Sequence, residues 1–389
     1  MKEISLGVYK EKEVSDLLES NDTVLLQARR PVLIGRRCLL KINLNLGATS
    51  EDGMHKEIEK IDYISKLKYR PDSIMDLSTF RASTPLWQYI MERFDGAIGT
   101  VPYYSLFSPD DGINENELLS HIEMLAKNKI SFMTLHPTAN LRLYKDACEA
   151  RHGVPMTSRG GYVLLRDQII NKREQNIIQK NYSTILKIMA KHDVVLSIGS
   201  VFRAGTIHDA LDDIQLKEIQ MQKEFIRLAH DSGVKVMMEC VGHISFDQML
   251  EYANIVRDIN VPLMPLGPMM TDETVGFDHI TNAIGSFAFA QTGVLGMINS
   301  VTREEHTGEI PSFDSIIEGL QSATVSAHIY NVGRFDSYKK ATETIGIRRM
   351  QAHTCVQKGG LFDYCPSYAN SSSMCSRCSI ECPLKDIYN

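Results

Sequence analysis

Two short apolar runs decide the fold: Cys38-Leu39-Leu40-Lys41-Ile42-Asn43 and Ser73-Ile74-Met75-Asp76-Leu77. Between them, apolar residues recur at every third position from Ile58 to Leu67, which is typical of one face of a helix. Strand, helix and strand in this order predict parallel pairing of the two strands, because a parallel pair needs a long crossover connection.

The same alternation of strand and helix continues along the chain. Apolar runs predict eight strands, at residues 38–43, 73–77, 97–101, 132–136, 194–198, 234–239, 261–266 and 294–298. Eight such units predict an α/β fold of the (β/α)8 TIM-barrel type. An open doubly wound sheet is the alternative, but no G-x-G-x-x-G motif follows any of these strands.

The predicted barrel occupies residues 35–306. Residues 1–34 precede it as a lead-in, residues 307–354 follow as a helical segment, and residues 355–389 are a cysteine-rich tail. Nearly sixty residues lie between the fourth and fifth predicted strands, more than one helix and its loops need. Long ordered insertions after barrel strands are usually functional, so this insertion is a candidate part of a site.

Composition and charge narrow the class of protein. The chain has 389 residues, 43% of them hydrophobic, and a net charge of −6 without a basic block. A nucleic-acid partner is therefore not favoured. The amino-terminal stretch lacks an apolar core region and no run of about 18 apolar residues occurs, so we expect no membrane association and a cytoplasmic location. Cys38, Cys148 and Cys240 are expected to be ordinary buried thiols.

The tail carries a motif for metal binding. Five of the eight cysteines lie in the last 35 residues: Cys355, Cys365, Cys375, Cys378 and Cys382. The last three are spaced C-x2-C-x3-C, and three thiolates can hold a 4Fe–4S cluster with one iron open to a small molecule such as S-adenosylmethionine. A structural zinc site with Cys365 or Cys355 as fourth ligand is the alternative.

Polar residues follow several predicted strands, where barrel enzymes place their catalytic groups. Asn45 offers amide donors to a ligand, or it satisfies a turn. Met75 is a candidate contact or an ordinary core methionine. The insertion contains Ser158-Arg159-Gly160-Gly161, which suits a phosphate or is a solvated loop.

Acidic and histidine side chains cluster after the sixth and eighth strands. Glu239 and His243 are an acid–base pair or metal ligands, and His306 is a possible second ligand. A structural role is the alternative for either histidine. Asp278-His279 supports a metal ligand or caps a helix. These residues indicate a barrel with a polar, phosphate-capable mouth, one or two histidine metal ligands and a metal-binding tail.

Taken together, these stretches resemble the phosphomethylpyrimidine synthase (ThiC) family within the radical S-adenosylmethionine superfamily. The resemblance is carried by residues 40–47, 74–79, 98–102, 157–161, 242–243, 266–268, 277–281 and 304–306, in unbroken order, and by the tail. It implies a (β/α)8 barrel with cluster cysteines at the carboxyl terminus. It also implies a homodimer in which each tail reaches over the partner's barrel, with residues 307–354 as a dimer contact.

The resemblance further implies an activity. The family's pyrimidine-forming members rearrange 5-aminoimidazole ribotide to 4-amino-5-hydroxymethyl-2-methylpyrimidine phosphate for thiamine, through a 5′-deoxyadenosyl radical, as carbon–carbon lyases. A sister branch makes 5-hydroxybenzimidazole, a lower ligand of cobamides. The implied cofactors are a 4Fe–4S cluster, S-adenosylmethionine and a divalent metal, zinc or iron, with electrons from flavodoxin or ferredoxin. A non-catalytic barrel with a structural zinc tail is the remaining alternative.

Roles for individual residues follow from the same resemblance. Substrate contacts are implied for Asn45, Met75, Tyr104, His136, Ser158, Arg159, Gly160, Arg203 and Glu239. Mononuclear metal ligands are implied for His243 and His306, and cluster ligands for Cys375, Cys378 and Cys382. Glu239 and His136 are the expected catalytic groups, because a carboxyl group and an imidazole suit proton transfer.

Two residues and one spacing depart from the family pattern. Ser200 stands where the family's Asp-Gly-Leu-Arg places a carboxylate, and Met264 stands where a substrate-contacting tyrosine is expected. The spacing between Cys378 and Cys382 is one residue shorter than in the family. We therefore expect a divergent paralog that keeps the phosphate end and the metal ligands, with altered recognition of the base or ribose.

Replacing Cys382 with alanine should abolish cluster binding, because only two of the three predicted thiolate ligands would remain. The measurement is the iron and acid-labile sulfide content of anaerobically purified protein. An unchanged iron content would overturn the assignment of Cys382 as a ligand.

Overall fold

A parallel β-sheet lies at the centre of the computed structural model, which describes residues 9–239, 241–351 and 360–362. The strands are β1 Thr23–Leu26, β2 Val32–Gly35, β3 Lys41–Leu46, β4 Ser73–Asp76, β5 Ala97–Thr100, β6 Phe132–Leu135, β7 Val195–Ile198, β8 Val236–Met238, β9 Val241–His243, β10 Leu266–Met269 and β11 Met297–Ser300. The central sheet has seven of them, in the order β11-β3-β4-β5-β6-β7-β8. β4 to β8 and β11 are buried throughout, as expected for parallel strands covered on both faces.

The two edges of the sheet meet at one short segment around Leu263. Leu263 forms single parallel bridges with Met238 on β8 and with Leu295 just before β11. The Met264 N–H donates to the Met238 carbonyl oxygen at 2.9 Å, and the Met297 N–H donates to the Leu263 carbonyl oxygen at 3.0 Å. The sheet is therefore curled, with both edge strands hydrogen-bonded to the same segment.

Seven of the eight predicted strands are confirmed, since β3 to β8 and β11 overlap the predicted runs. β3 and β11 each begin later than predicted, because the apolar residues before them, such as Leu40 and Val294, are buried without belonging to a strand. Within residues 261–266, Leu263 makes only single bridges and Leu266 alone belongs to a strand, as the first residue of β10, so a regular strand over that range is wrong. β10 follows this segment and pairs instead with β9.

The lead-in contains a helix and a hairpin that the apolar runs do not predict. α1 spans Glu11–Leu18, and β1 pairs antiparallel with β2. The Ser131 hydroxyl donates to the Gln27 carbonyl oxygen at 2.6 Å, and the Arg30 N–H donates to the Asp95 carbonyl oxygen at 2.7 Å. Because Ser131 and Asp95 precede β6 and β5, the hairpin lies at the amino ends of the strands.

Besides α1, the helices are α2 Glu51–Ile64, α3 Leu86–Arg93, α4 Glu115–Lys127, α5 Leu141–Ala150, α6 Arg159–Ile170, α7 Ile177–Lys180, α8 Tyr182–His192, α9 Asp213–Asp231, α10 Phe246–Arg257, α11 Asp278–Gln291, α12 Phe313–Arg334 and α13 Asp336–Gln351. Helices α2 to α11 connect consecutive strands, and α12 and α13 follow the last strand. The insertion between β6 and β7 forms α5 to α8. α12 and α13 are the helices expected within residues 307–354. Within the described ranges, none of the helices is long and apolar enough to cross a membrane.

Two of the three cysteines outside the tail can be placed. Cys38 is buried as expected, but Cys148 is exposed, so its prediction as a buried thiol is wrong. Leu143 and Ala147 form the buried face of α5, and the next residue of a helix points about 100° away from that face. Cys240 lies outside the described residues, as do the five cysteines of the tail.

Candidate functional site

A cavity of about 960 Å³ opens at the carboxyl edge of the sheet. Eight of the nine implied substrate contacts line it: Asn45, Met75, Tyr104, His136, Ser158, Arg159, Arg203 and Glu239. The ninth, Gly160, lies against the ring of His136. These residues are far apart in the sequence, and they meet because the carboxyl ends of neighbouring parallel strands lie at one edge.

His136 is packed tightly into the cavity wall. A Cβ atom added at Gly160 or at Gly199 would lie 2.5 Å or 2.4 Å from its ring, so both positions require glycine. Its Nδ1 lies 2.7 Å from the hydroxyl oxygen of Tyr103, which is fully buried. Burial, helped by the nearby charge of Arg203, lowers the pKa of His136 to about 3, so the ring is neutral at physiological pH.

Glu239 lies across from His136, with 4.0 Å between its Oε2 and the histidine Nε2. Its Oε1 accepts a hydrogen bond from the Thr134 hydroxyl at 3.2 Å. Burial raises the pKa of Glu239, and the positive charge of Arg203 opposes that shift. Arg203 is itself held by a 2.9 Å hydrogen bond from its Nη1 to the Ser200 carbonyl oxygen. A largely buried carboxyl group beside a neutral imidazole is an arrangement suited to general acid–base chemistry.

The amino terminus of α6 forms another part of the cavity. Ser158 caps this helix, and its hydroxyl oxygen accepts from the Gly161 N–H at 3.1 Å. Arg159 opens the helix, with its guanidinium carbon 5.8 Å from the centre of the Tyr104 ring. Burial raises the pKa of Tyr104, so this phenol stays protonated. A helix amino terminus beside an arginine attracts anions, and the arrangement therefore suits a phosphate.

Buried amide groups connect β3, β4 and β11 beside the cavity. Asn43 Nδ2 donates to Oδ1 of Asn45 at 2.8 Å and to Oδ1 of Asn299 at 2.7 Å. Asn43 Oδ1 accepts from the Ser73 hydroxyl at 2.6 Å, and Asn299 Nδ2 donates to the Pro265 carbonyl oxygen at 2.8 Å. The side-chain oxygen of Asn45 thus accepts a hydrogen bond. Its side-chain nitrogen, Nδ2, has no partner among the described residues and can donate to a ligand.

The two departures within the predicted barrel do not line the cavity. The Ser200 hydroxyl donates to Glu218 Oε2 at 2.9 Å, and Glu218 also accepts from the N–H groups of Val201 and Phe202. Met264 is 1% exposed and belongs to the hydrophobic core. Any effect of Ser200 on recognition therefore passes through the loop that carries Arg203.

A pair of histidines lies beside this site. His243 ends β9, His306 follows β11, and their Nε2 atoms are 3.0 Å apart. His243 Nδ1 lies 2.6 Å from Asp272 Oδ1, and His306 Nδ1 lies 2.8 Å from Asp278 Oδ1. Burial lowers the pKa of His243, and the nearby His306 adds to this effect. Asp278 thus supports a histidine, as one of the two sequence interpretations proposed, although its partner is His306 and not His279.

The histidine pair fits a metal ion. Two nitrogens 3.0 Å apart can both lie about 2.1 Å from one ion, and carboxylates on the opposite ring nitrogens are the usual support for metal-bound histidines. Within the described ranges, no group of three or more His, Cys, Asp or Glu side chains could hold a metal. An ion at this pair would therefore take its other ligands from water or substrate, unless residues outside those ranges contribute.

Three residues that support the site are missing from the sequence predictions. Tyr103 contacts His136, Glu218 holds the loop before Arg203, and Asp272 contacts His243. Tyr103 follows β5, and position after a strand is the one signal that could have found it. Glu218 lies inside α9 and Asp272 in a loop, where acidic residues are ordinary.

The fold and the cavity define a class of protein: an α/β protein with a polar, anion-suited cavity, in which a buried histidine faces a glutamate, at the carboxyl edge of a curled parallel sheet. Residues 10–388 match the radical SAM ThiC family, and the chain belongs to that family. The resemblance found in the sequence is thereby confirmed.

Relatives with established names are called phosphomethylpyrimidine synthase. The one from Thermococcus gammatolerans is 30% identical over 374 residues, which cover 92% of this chain and 86% of the relative. The one from Pyrococcus abyssi is 31% identical over 376 residues, with the same coverage. Among solved structures, dihydropteroate synthase from Xanthomonas albilineans with 4-aminobenzoic acid aligns with a TM-score of 0.46 and 10% identity, over 80% of this chain and 98% of that chain.

The low pKa of His136 predicts a pH dependence of stability. In the unfolded state this histidine has a pKa of about 6.5, whereas in the folded state it stays neutral down to about pH 3. The unfolded state therefore binds more protons, so the free energy of unfolding falls as the pH drops from about 6.5 toward 3. Between about pH 6.5 and 5, wild type should lose about 2 kcal/mol more than His136→Asn. Urea unfolding at both pH values measures this. Equal losses in the two proteins would contradict the prediction.

Proposed function

We propose that this chain is a radical S-adenosylmethionine enzyme that rearranges 5-aminoimidazole ribotide to 4-amino-5-hydroxymethyl-2-methylpyrimidine phosphate. Family membership and the names of its relatives support this proposal. The observation that carries it is the meeting of eight implied substrate contacts in one cavity. A ribotide consists of a phosphate, a sugar and a base, and the cavity has polar groups suited to each part.

The proposed scaffold is a (β/α)8 barrel in which the segment around Leu263 takes the place of an eighth strand. Its bridges to Met238 and Leu295 support this, because they join both edges of the seven-stranded sheet. In such barrels the active site lies at the carboxyl ends of the strands, which is where the cavity opens.

The phosphate of the substrate would bind at the amino terminus of α6. Arg159 would pair with it, and the backbone N–H groups at the start of the helix that Ser158 leaves uncapped would donate to it. Gly160 and Gly161 are buried and let His136 and Val201 pack directly against the first turn of the helix, which places His136 beside the proposed phosphate site. Anchoring the phosphate would fix the position of the sugar relative to the rest of the cavity.

The base and sugar would lie between His136, Glu239, Asn45 and Arg203. Neutral His136 would orient the aminoimidazole by a hydrogen bond, and Glu239 would take up or release a proton, as its raised pKa favours. Asn45 would donate through its amide nitrogen. Met75, which is 4% exposed and part of the core, would contribute an apolar contact.

The cofactors would be held at two places. Cys375, Cys378 and Cys382 would ligate a 4Fe–4S cluster, which together with S-adenosylmethionine supplies a 5′-deoxyadenosyl radical when bound. His243 and His306 would hold a divalent metal, zinc or iron.

The proposed partners are a second copy of the chain and an electron donor such as flavodoxin or ferredoxin. Exposed apolar side chains on the two last helices, Val325 and Ile329 on α12 and Ile347 and Met350 on α13, support a dimer contact in residues 307–354.

The test of the reaction is an anaerobic assay with reductant, S-adenosylmethionine and 5-aminoimidazole ribotide, with products identified by mass. We expect the pyrimidine phosphate together with 5′-deoxyadenosine. Formation of 5-hydroxybenzimidazole would assign the chain to the sister activity, and 5′-deoxyadenosine without either product would indicate another substrate. Colourless protein with zinc and no acid-labile sulfide would refute a radical reaction.

In the same assay, Arg159→Gln should raise the KM for the ribotide by about 10- to 100-fold, because a charge-assisted contact to phosphate is lost. Arg166→Gln is the matched control, since Arg166 is an exposed arginine on the same helix. Equal KM values for the two variants would contradict phosphate binding at this helix terminus.

The metal assignment predicts a graded loss of binding. His306→Ala should abolish binding of zinc or iron at the pair, and Asp278→Asn should weaken it by about 10- to 100-fold because the support on Nδ1 is reduced. His192→Ala, at the end of α8, is the control. Titration calorimetry with the metal checks this, and unaltered affinity in His306→Ala would refute the role of that residue.

A further inference from the structure

Tyr103 makes a contact that the proposed chemistry does not yet include. Its side chain is fully buried and is absent from the cavity lining, unlike that of its neighbour Tyr104. In the part of the chain that the structure describes, its hydroxyl makes one hydrogen bond, to Nδ1 of His136 at 2.7 Å. A buried phenol with a single hydrogen-bond partner needs that partner to accept its proton, so the position of the proton on His136 is important.

The direction of this hydrogen bond follows from counting donors and acceptors. A neutral imidazole has one N–H donor and one bare nitrogen acceptor. The Tyr103 phenol keeps its proton, because burial raises its pKa. If His136 carried its own proton on Nδ1, the phenol proton would have no acceptor within the described residues, and a buried donor would be left unsatisfied. A proton on Nε2 instead lets Nδ1 accept from the phenol and leaves the Nε2–H at the cavity that His136 lines, so the proton of the imidazole is placed on Nε2.

We propose that Tyr103 is a positioning residue that fixes His136 as the neutral tautomer with its proton on Nε2. The packing supports this role, since Gly160 and Gly199 both lie so close to the ring that neither position has room for a Cβ atom. Tyr103 and His136 follow β5 and β6, two neighbouring strands, so their separation is set by the sheet.

The consequence is a defined hydrogen-bond donor in the cavity wall. His136 Nε2 points toward Glu239 at 4.0 Å, too far for a hydrogen bond between them. A ligand atom placed between the two side chains would accept from Nε2–H, while Glu239 accepts from or donates to another atom of the ligand. This use of the donor depends on the proposed function, whereas the position of the proton does not.

The experiment measures the tautomer directly in substrate-free protein. Histidine labelled with ¹⁵N in the ring is incorporated, and the His136 signals are assigned by their loss in His136→Asn. We expect a protonated Nε2 and a bare Nδ1 in wild type. In Tyr103→Phe we expect the Nδ1 signal to move as its hydrogen bond is lost, and the preference for the Nε2–H tautomer to fall by about tenfold.

Tyr182→Phe is the matched control. Tyr182 is also buried, and its hydroxyl donates to the Phe225 carbonyl oxygen at 2.8 Å, on helices outside the cavity. This variant loses a buried hydroxyl in the same way and should leave both His136 signals unchanged. A proton on Nδ1 in wild type would overturn the proposal even if Tyr103→Phe fails to fold. Unmoved His136 signals in a folded Tyr103→Phe would overturn it as well.

Binding of 5-aminoimidazole ribotide, measured by calorimetry, separates this proposal from the proposed function. Tyr103→Phe should bind the ribotide about tenfold more weakly than wild type and Tyr182→Phe, because His136 no longer presents a fixed donor. If wild type does not bind the ribotide but shows the expected tautomer, the proposed substrate is wrong and the role of Tyr103 stands. If the ribotide binds and the tautomer is not the expected one, the role of Tyr103 is wrong.

Discussion

The buried carboxylate of Glu218 connects the loops on which the site depends. It accepts hydrogen bonds from the Thr138 hydroxyl after β6 and from Ser200, Val201 and Phe202 after β7. Four donors satisfy its oxygens, which makes complete burial of this group tolerable. Because His136 precedes one loop and Arg203 follows the other, this one side chain sets the spacing between two parts of the cavity.

Close packing by glycine complements this network. Gly160 and Gly199 both lie against the His136 ring, and neither position could accept a methyl group without displacing it. The imidazole is thereby buried, neutral and held by Tyr103. A cavity wall built in this way keeps polar groups oriented before a ligand arrives, which lowers the cost of ordering them during a reaction.

The sequence predictions were most successful where the signal is local. Seven strands were found because parallel strands buried on both faces appear as short apolar runs. The segment around Leu263 is also apolar and buried, so the same criterion predicted a strand there. Leu263 instead makes only single bridges to its two neighbours. Cys148 was wrongly predicted to be buried, because the residue type alone does not tell which face of a helix a side chain occupies. Asp272 and Glu218 were missed because their partners lie elsewhere in the chain.

By itself the sequence determined the α/β alternation, the family, and the strand-end positions of the candidate site residues, because all three depend on residue type and order along the chain. Only the tertiary structure decided that the Nε2 atoms of His243 and His306 meet, that Ser200 bonds to Glu218 away from the cavity, and that Tyr103 contacts His136. Such contacts depend on the curvature of the sheet and on side-chain direction, and neither is encoded in a local pattern.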